Sequence, residues 1–133
     1  MIDLTDIELF KDFIIIEYDG KIYDLHSDYE CKTVVFDGSE NKMTLQFNKK
    51  DSDTSNSGKV AIEFNEARLA NFSLFFPYTE DSATLNIIYR GRFEDKGELR
   101  EYSQQGERYF YFEMETGDKF EVYSKRVVFI NTA

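Results

Sequence analysis

Apolar and polar residues alternate over short stretches along most of the chain. The clearest stretch is Met43–Phe47, in which Met43, Leu45 and Phe47 are apolar and the residues between them are polar. Because successive side chains of a strand point to opposite faces, this period of two predicts a strand with one buried face. In total, about ten short stretches along the chain are predicted to be strands, and no helical crossovers are predicted between them. The chain is therefore predicted to form one all-β domain over residues 1–133. Its antiparallel meander would form a barrel or a sandwich of about 9–11 short strands.

A first hairpin is predicted between Phe13 and His26. Asp19-Gly20 in its middle is a pair favoured in two-residue type I′ turns, because both turn positions need a positive φ. A two-residue loop sets Ile16 opposite Tyr23 and leaves a half-polar face on the other side. The face predicted to be buried carries Ile14, Ile16, Tyr18, Tyr23 and Leu25.

Further strands follow along the first half of the chain. They are predicted over about Lys32–Phe36, Met43–Asn48, Lys59–Phe64 and Phe72–Phe76. Lys49–Gly58 contains no apolar residue and is predicted to be a surface loop. Asn65–Ala70 fits either a helical turn or a bend. Pro77 cannot donate a hydrogen bond to a neighbouring strand, so it is expected to end the Phe72–Phe76 strand.

The N-terminus carries the signature of a helix start. Thr5 fits the N-cap position, and Glu8 follows three residues later as the partner that reaches back to it. Leu4 and Leu9 complete the pattern as a hydrophobic staple. One short helix is therefore predicted, ending at about Asp12.

The segment from Thr84 to Ile130 reads as five short strands joined by tight turns. The turns are predicted at Asp95-Lys96-Gly97, Gln104-Gln105-Gly106 and Thr116-Gly117-Asp118. Glycine supplies the positive φ that such turns need, and three-residue hairpin loops often end in a left-handed glycine. The first two connections are accordingly predicted to be three-residue loops.

These loops predict a cluster of arginines on one face of the sheet. Arg92 would face Arg100, and Tyr102 would face both Arg90 and Arg108. Like charges opposite one another destabilise a sheet unless an anion lies between them. That anion is either an internal carboxylate or a bound carboxylate or phosphate, which arginine grips with two hydrogen bonds. The simpler interpretation is that exposed arginine stems cover aromatic rings beneath them.

The opposite face of the same predicted strands gathers tyrosines. They are Tyr89, Tyr109, Tyr111 and Tyr123. A tyrosine buries a large apolar ring and keeps a polar hydroxyl at its tip, which suits a protein interface or a ligand cavity. The same property suits the boundary of a hydrophobic core, so both interpretations stand.

Charge and composition narrow the classes of partner. The net charge is −10, with 17 acidic and 8 basic residues over 1–83 but 9 and 8 over 84–133. An acidic surface repels phosphate backbones, so nucleic-acid binding is not expected, whereas a basic partner is favoured. Phe13–Ile16, an apolar run near the N-terminus, is too short to cross a membrane. The sequence shows no signal-peptide pattern and has one cysteine, so a cytoplasmic protein is expected.

Candidate catalytic chemistry is sparse. His26 and Cys31 are the single histidine and the single cysteine, which is too few for a typical zinc site. Neither has a supporting nucleophile or base nearby in the sequence. Asp51-Ser52-Asp53 begins like a calcium loop, but the twelfth position is Ile62 where glutamate is required. No metal, no cofactor and no catalytic residue are therefore predicted.

The sequence thus favours a non-catalytic acidic binding module that acts through protein–protein contact. Small acidic inhibitors, including immunity proteins that neutralise a basic toxin, have this general size and charge. The alternative is a β-barrel carrier that holds a small anionic or apolar ligand in a cavity lined by tyrosine and arginine. The candidate binding residues are Arg90, Arg92, Arg100, Arg108, Tyr89, Tyr109, Tyr111 and Tyr123.

Overall fold

The computed structural model describes residues 1–50, 58–74 and 84–131. These residues form eleven strands and no helix, which confirms the all-β prediction and the expected number of strands. The strands are β1 (Ile2–Asp3), β2 (Ile15–Tyr18), β3 (Lys21–Asp24), β4 (Tyr29–Asp37), β5 (Lys42–Lys49), β6 (Lys59–Ser73), β7 (Leu85–Gly91), β8 (Phe93–Asp95), β9 (Glu98–Arg100), β10 (Arg108–Met114) and β11 (Lys119–Asn131). No helix long and apolar enough to cross a membrane occurs in these ranges.

Seven strands build one antiparallel sheet that curls into a half-barrel. Six of them follow the order β4-β5-β6-β11-β10-β7, and β1 pairs with β11 beyond the end of β10. The prediction of uniformly short strands is wrong for β6 and β11, which are 15 and 13 residues long. The hairpins β2–β3 and β8–β9 each form a separate two-stranded sheet.

In both long strands, β6 and β11, the alternation of inward and outward side chains is interrupted at the same point. This irregularity helps the sheet to curl. Phe64 and Ala67 are successive inward positions of β6, and they pair with Val127 and Ser124 of β11. A step of three residues therefore replaces the usual step of two in both strands. Glu66, inside this step, has a φ of 45°. Such irregular positions bend strands where a sheet turns a corner.

The hydrophobic core fills the inner face of the half-barrel. Its largest fully buried rings are Phe47, Phe64, Phe110, Phe112 and Phe129. The β2–β3 hairpin packs against this face, where the rings of Tyr23 and Phe129 lie 5.1 Å apart between centroids. Burying such large apolar rings supplies most of the free energy that favours folding.

The predicted turn and register of the first hairpin are confirmed. Asp19 and Gly20 have φ values of 52° and 75°, as a type I′ turn requires. Ile16 pairs with Tyr23, and both side chains are buried. Ile22, on the other face, is 71% exposed. Turn chemistry and the apolar pattern specified the same register here.

The predicted strands Lys32–Phe36 and Met43–Asn48 are also confirmed: they lie within β4 and β5, which pair antiparallel, and Met43, Leu45 and Phe47 are buried. Asn65–Ala70, predicted as a helical turn or a bend, instead continues β6 as a strand. The Phe72–Phe76 strand is present as far as Ser73 in β6. Its predicted remainder, its end at Pro77 and most of the predicted Lys49–Gly58 loop, including the calcium-like start, lie outside the described residues.

The predicted N-terminal helix is wrong. The hydroxyl of Thr5 accepts a hydrogen bond from the backbone N–H of Val127 at 3.0 Å, so it binds β11 instead of capping a helix. The residues after it lie along the edge of β7, where Phe10 N–H donates to the Arg90 carbonyl at 2.8 Å. Phe13 N–H donates to the Ile88 carbonyl at 3.0 Å. A helix of two turns is marginal, and pairing with an open strand edge satisfies the same backbone groups.

The five predicted strands of the C-terminal half are present, but they do not pair in sequence. β7 pairs directly with β10, and β8–β9 stands apart as a hairpin inserted between them. The Lys96-Gly97 loop has two residues, not three, with φ values of 52° and 81°. The third turn is confirmed: Met114 N–H donates to the Asp118 carbonyl at 2.9 Å around Gly117.

Candidate functional site

Strand β10 presents different aromatic residues to its two faces. Phe110 and Phe112 point into the core, whereas Tyr109 and Tyr111 point outward and are half-buried. The alternation follows directly from the sequence Arg-Tyr-Phe-Tyr-Phe-Glu-Met because side chains change face at each residue of a strand. The outer surface of β7, β10, β11 and the adjoining part of β6 is called the tyrosine face below.

The register across four strands sets the neighbours on the tyrosine face. One row runs Gly91, Tyr109, Tyr123 and Arg68 from β7 to β6. The next row runs Tyr89, Tyr111, Glu121 and Asn71. A third row runs Ile87, Glu113 and Lys119. The structure thus brings all four predicted tyrosines together and adds two carboxylates that the sequence reasoning had not selected.

The tyrosine rings contact one another as pairs. The ring centroids of Tyr89 and Tyr111 are 5.3 Å apart, and those of Tyr109 and Tyr123 are 5.6 Å apart. Phe93, at the start of the β8–β9 hairpin, packs edge-on against Tyr123 at 5.2 Å. These distances are typical of favourable aromatic pairs, so the rings hold one another in place.

Gly91 leaves the space that these rings occupy. A Cβ atom at this position would lie 3.2 Å from Cδ1 of Tyr109 and 3.3 Å from Cε2 of Tyr89. Both distances are shorter than ordinary van der Waals contacts. A side chain at position 91 would therefore displace the rings, so this glycine serves packing and not a special backbone conformation.

The carboxylates on the tyrosine face hold the phenol groups in their neutral form. Tyr111 donates its hydroxyl hydrogen to Glu113 at 2.8 Å. Burial, this hydrogen bond and the Glu113 charge raise the pKa of Tyr111 to about 12. Burial and then the charge and hydrogen bonding of Glu121 raise the pKa of Tyr109 well above its usual value. The face therefore combines aromatic rings with nearby negative charge.

One cation is already bound on the tyrosine face. The guanidinium of Arg68 lies 4.3 Å from the centroid of the Tyr123 ring. Its Nε is 3.0 Å from both carboxylate oxygens of Glu107, and its Nη2 is 2.9 Å from Oε1. Burial raises the pKa of Glu107, but hydrogen bonds from Arg68 and Ser103 outweigh it and hold that pKa below its usual value. Only the long-range pairing of β6 with β11 brings Arg68 here, and no local sequence signal indicates that pairing.

The predicted arginine face is wrong in its register. Arg100 pairs with Phe93 and not with Arg92, because the two-residue loop shifts the β8–β9 pairing by one position. A shift of one residue moves side chains to the opposite face. Arg100 instead forms ion pairs with Asp95 at 3.4 Å and Glu98 at 2.9 Å. Arg92 is exposed, with its guanidinium 5.3 Å from the centroid of the Phe10 ring.

Arg90 and Arg108 do share Tyr102, whose ring centroid lies 5.5 Å and 4.7 Å from their guanidinium carbons. Arg90 is only 4% exposed and donates to Glu101 at 3.0 Å and to the Ile7 carbonyl at 3.1 Å. Arg108 forms an ion pair at 3.0 Å with Asp6. Internal carboxylates thus occupy the positions where the sequence reasoning allowed either an internal acid or a bound anion. An anionic ligand stays a prediction.

The two remaining candidates for chemistry lie away from the tyrosine face. Cys31 is buried in the core, and desolvation raises the pKa of its thiol to about 12. His26 places Nδ1 2.8 Å from the Leu85 carbonyl oxygen and Nε2 3.5 Å from Glu115. Among the described residues, no group of three or more His, Cys, Asp or Glu side chains is arranged to hold a metal ion.

The chain matches no protein-family model and no curated protein sequence. Its function is therefore inferred from the geometry of its own surfaces. The tyrosine face combines four clustered tyrosine rings with carboxylates and a bound guanidinium.

Proposed function

We propose that this protein is a non-catalytic acidic binding module, of the inhibitor or immunity-protein kind, whose tyrosine face binds a basic protein partner. The observation that carries the proposal is the packing of Tyr89, Tyr109, Tyr111 and Tyr123 on one side of the sheet. Tyrosine is among the residues that contribute most to binding free energy at protein interfaces.

The rings on this face are held ready for contact. Aromatic pairing and the Gly91 gap fix their positions, so binding would immobilise few additional side chains. Each phenol oxygen can also accept a hydrogen bond from a partner, even where its own hydrogen is donated to a carboxylate. A cluster of four tyrosines matches the composition of interface centres.

The charge of the protein favours a basic partner. The net charge of −10 attracts a positively charged protein over a distance, and such steering raises association rates. Glu113 and Glu121 place negative charge within the tyrosine face itself. A basic partner is therefore favoured both by long-range attraction and by complementary charge at the contact surface.

The alternative, a small-ligand carrier, needs space on the inner face of the half-barrel. Phenylalanine rings pack there, with Phe64 contacting Phe110 and Phe112 at centroid distances of 5.6 Å and 6.1 Å. Phenylalanine packing on the inner face and clustered tyrosines on the outer face favour the interaction module over the carrier.

Affinity capture from lysate of the source cells tests the proposal. The immobilised proteins are the wild type, the tyrosine-face variant Tyr109→Ser with Tyr111→Ser, and a control variant, Ile15→Ser with Ile22→Ser. The control residues are 56% and 71% exposed on the β2–β3 hairpin. We expect a basic protein to be retained by the wild type and the control and lost by the tyrosine-face variant. Equal retention by all three folded proteins would contradict the proposal.

A further inference from the structure

Arg68 shows how the tyrosine face holds a guanidinium. The cation stacks on the Tyr123 ring at 4.3 Å, while Glu107, only 7% exposed, receives its hydrogen bonds from the side. The positive guanidinium is attracted to the negative face of the aromatic ring. The planar guanidinium can also donate paired hydrogen bonds to the two oxygens of a carboxylate. The elements of this site are therefore a half-buried tyrosine ring and a carboxylate beside it.

The same combination of a tyrosine ring and neighbouring carboxylates recurs in the next cross-strand row, around Tyr111. Glu113 lies two residues along β10 on the same face, and Glu121 lies directly across on β11. Tyr89 flanks the ring on the third side at 5.3 Å. Tyr111 thus has two carboxylates as neighbours, where Tyr123 has one arginine–carboxylate pair.

In the part of the chain that the structure describes, Glu113 and Glu121 form no ion pair with lysine or arginine, whose nitrogens all lie beyond the 4.0 Å limit of such a pair. Lys119 pairs across the strands with Glu113, but it is exposed and beyond that distance. Glu113 accepts a hydrogen bond from the Tyr111 hydroxyl, and both carboxylates retain lone pairs for further donors.

The Glu121 charge acts on all four tyrosines of the face. Besides burial, the charge of Glu121 raises the pKa of Tyr89, Tyr109, Tyr111 and Tyr123. Only at Tyr123 does a neighbouring cation, Arg68, act in the opposite direction. Negative charge around Tyr111 is therefore less compensated than around Tyr123.

We propose that Tyr111, Glu113 and Glu121 form a receptor for an arginine side chain of the protein partner. The inference rests on the proposed function, because it names the group by which that partner is recognised. The guanidinium stacks on the Tyr111 ring and donates to Glu113 and Glu121, repeating the arrangement of Arg68. A lysine ammonium cannot stack in this way or form a planar pair of hydrogen bonds, so arginine is preferred.

Two hexapeptides of equal charge, one of arginine and one of lysine, test the receptor. Their affinities are measured by calorimetry, and the tyrosine ring signals are followed by NMR in ¹³C-labelled protein. We expect the arginine peptide to bind about threefold to tenfold more tightly and to shift the Tyr111 ring signals most. Equal affinities, or shifts confined to other surfaces, would overturn the receptor.

Matched variants test which residues cause the preference for the arginine peptide. Glu113→Gln with Glu121→Gln should abolish it, whereas Glu17→Gln with Glu40→Gln, two exposed acids elsewhere, should retain it despite the same change in net charge. Tyr111→Phe keeps the ring and should retain most of the preference, and Tyr111→Leu should lose it. Loss in both acid variants would attribute the preference to net charge and overturn the receptor.

The peptide and capture experiments fail independently. If the peptides show no arginine preference but capture still depends on the tyrosine face, the binding module stands and the arginine receptor is wrong. If the preference maps to Tyr111 but capture does not depend on the tyrosine face, Tyr111 binds a guanidinium but not that of a partner, and the proposed function is wrong.

Discussion

The two faces of strand β10 differ by one oxygen atom per aromatic residue. Phe110 and Phe112 point inward and are fully buried, whereas Tyr109 and Tyr111 point outward and are half-buried. The phenylalanines contact other core rings, as in the stacked pair Phe112–Phe120 at 4.5 Å. The tyrosine hydroxyls instead bind carboxylates, as Tyr111 binds Glu113.

Within this one strand, the inward rings serve the stability of the fold, and the outward rings serve the proposed recognition of a partner. Inner rings exclude water on all sides, so their size and shape determine the stability of the fold. Outer rings pack only sideways, so part of each ring and its hydroxyl stay available to a partner. Substitutions at neighbouring positions of β10 should therefore have opposite consequences for stability and binding.

Truncation of the rings should show the largest difference. Phe112→Ala should lower the free energy of unfolding by about 3–5 kcal/mol because it leaves a cavity in the core. Tyr111→Ala should cost about 1–2 kcal/mol because its ring is partly solvated already. Urea unfolding of both variants measures the difference. Equal losses would show that the outer ring belongs to the core.

Exchange of a single hydroxyl should be the next largest effect. Phe112→Tyr places a hydroxyl in the fully buried interior and should cost about 1–3 kcal/mol. Tyr111→Phe removes only the hydrogen bond to Glu113 at the surface and should cost less than about 1 kcal/mol. The midpoints of denaturant unfolding of the two variants measure this difference in stability. A neutral Phe112→Tyr would mean that the inner face admits water or a polar group.

Gly91→Ala tests how closely the outer rings are packed. The added methyl group would press on Tyr109 and Tyr89, so we expect a loss of about 1 kcal/mol and displaced ring signals in NMR spectra. Gly38→Ala is the control, because nothing lies within 4 Å of a Cβ there and its φ is not positive. Unchanged tyrosine signals in Gly91→Ala would show that the rings are loosely held.

Alkaline pH should ionise the tyrosines of the outer face and thereby weaken the fold. The raised tyrosine pKa values favour the folded state while the phenols are neutral, so this stabilisation is complete below pH 10. It should be lost as the pH rises from about 10 through the folded-state values, which for Tyr111 is about 12. Glu121→Gln should lower the tyrosine pKa values in a phenolate absorbance titration. Titration near 10 in both proteins would exclude an electrostatic role for Glu121.

Local patterns predicted the parts of the fold that local chemistry controls. Asp19-Gly20 indicated both the turn and its register, and the strand period placed Tyr109 and Tyr111 on one face of β10. Lys96-Gly97 also marked a turn, but its loop length was wrong by one residue, which was enough to misplace Arg100. Loop length decides register, and the glycine alone does not specify that length.

The remaining features depend on contacts between distant segments. Thr5 matches a helix cap by sequence, yet its hydroxyl binds Val127 of β11 because the fold brings that strand beside it. The Arg68–Glu107 pair likewise requires the pairing of β6 with β11. Tertiary contacts of this kind override local preference, and a single sequence does not display them.

The measurement that tests the central claim most directly is a map of the bound surface. The ¹³C-labelled tyrosine rings and ¹⁵N-labelled backbone are followed by NMR while the captured partner is added. We predict that the largest shifts fall on the rings of Tyr89, Tyr109, Tyr111 and Tyr123 and on the backbone beside them, while the inward-facing phenylalanine rings keep their packing. Shifts concentrated instead on the edge of β4 or on the β2–β3 hairpin would contradict the assignment of the tyrosine face as the binding surface.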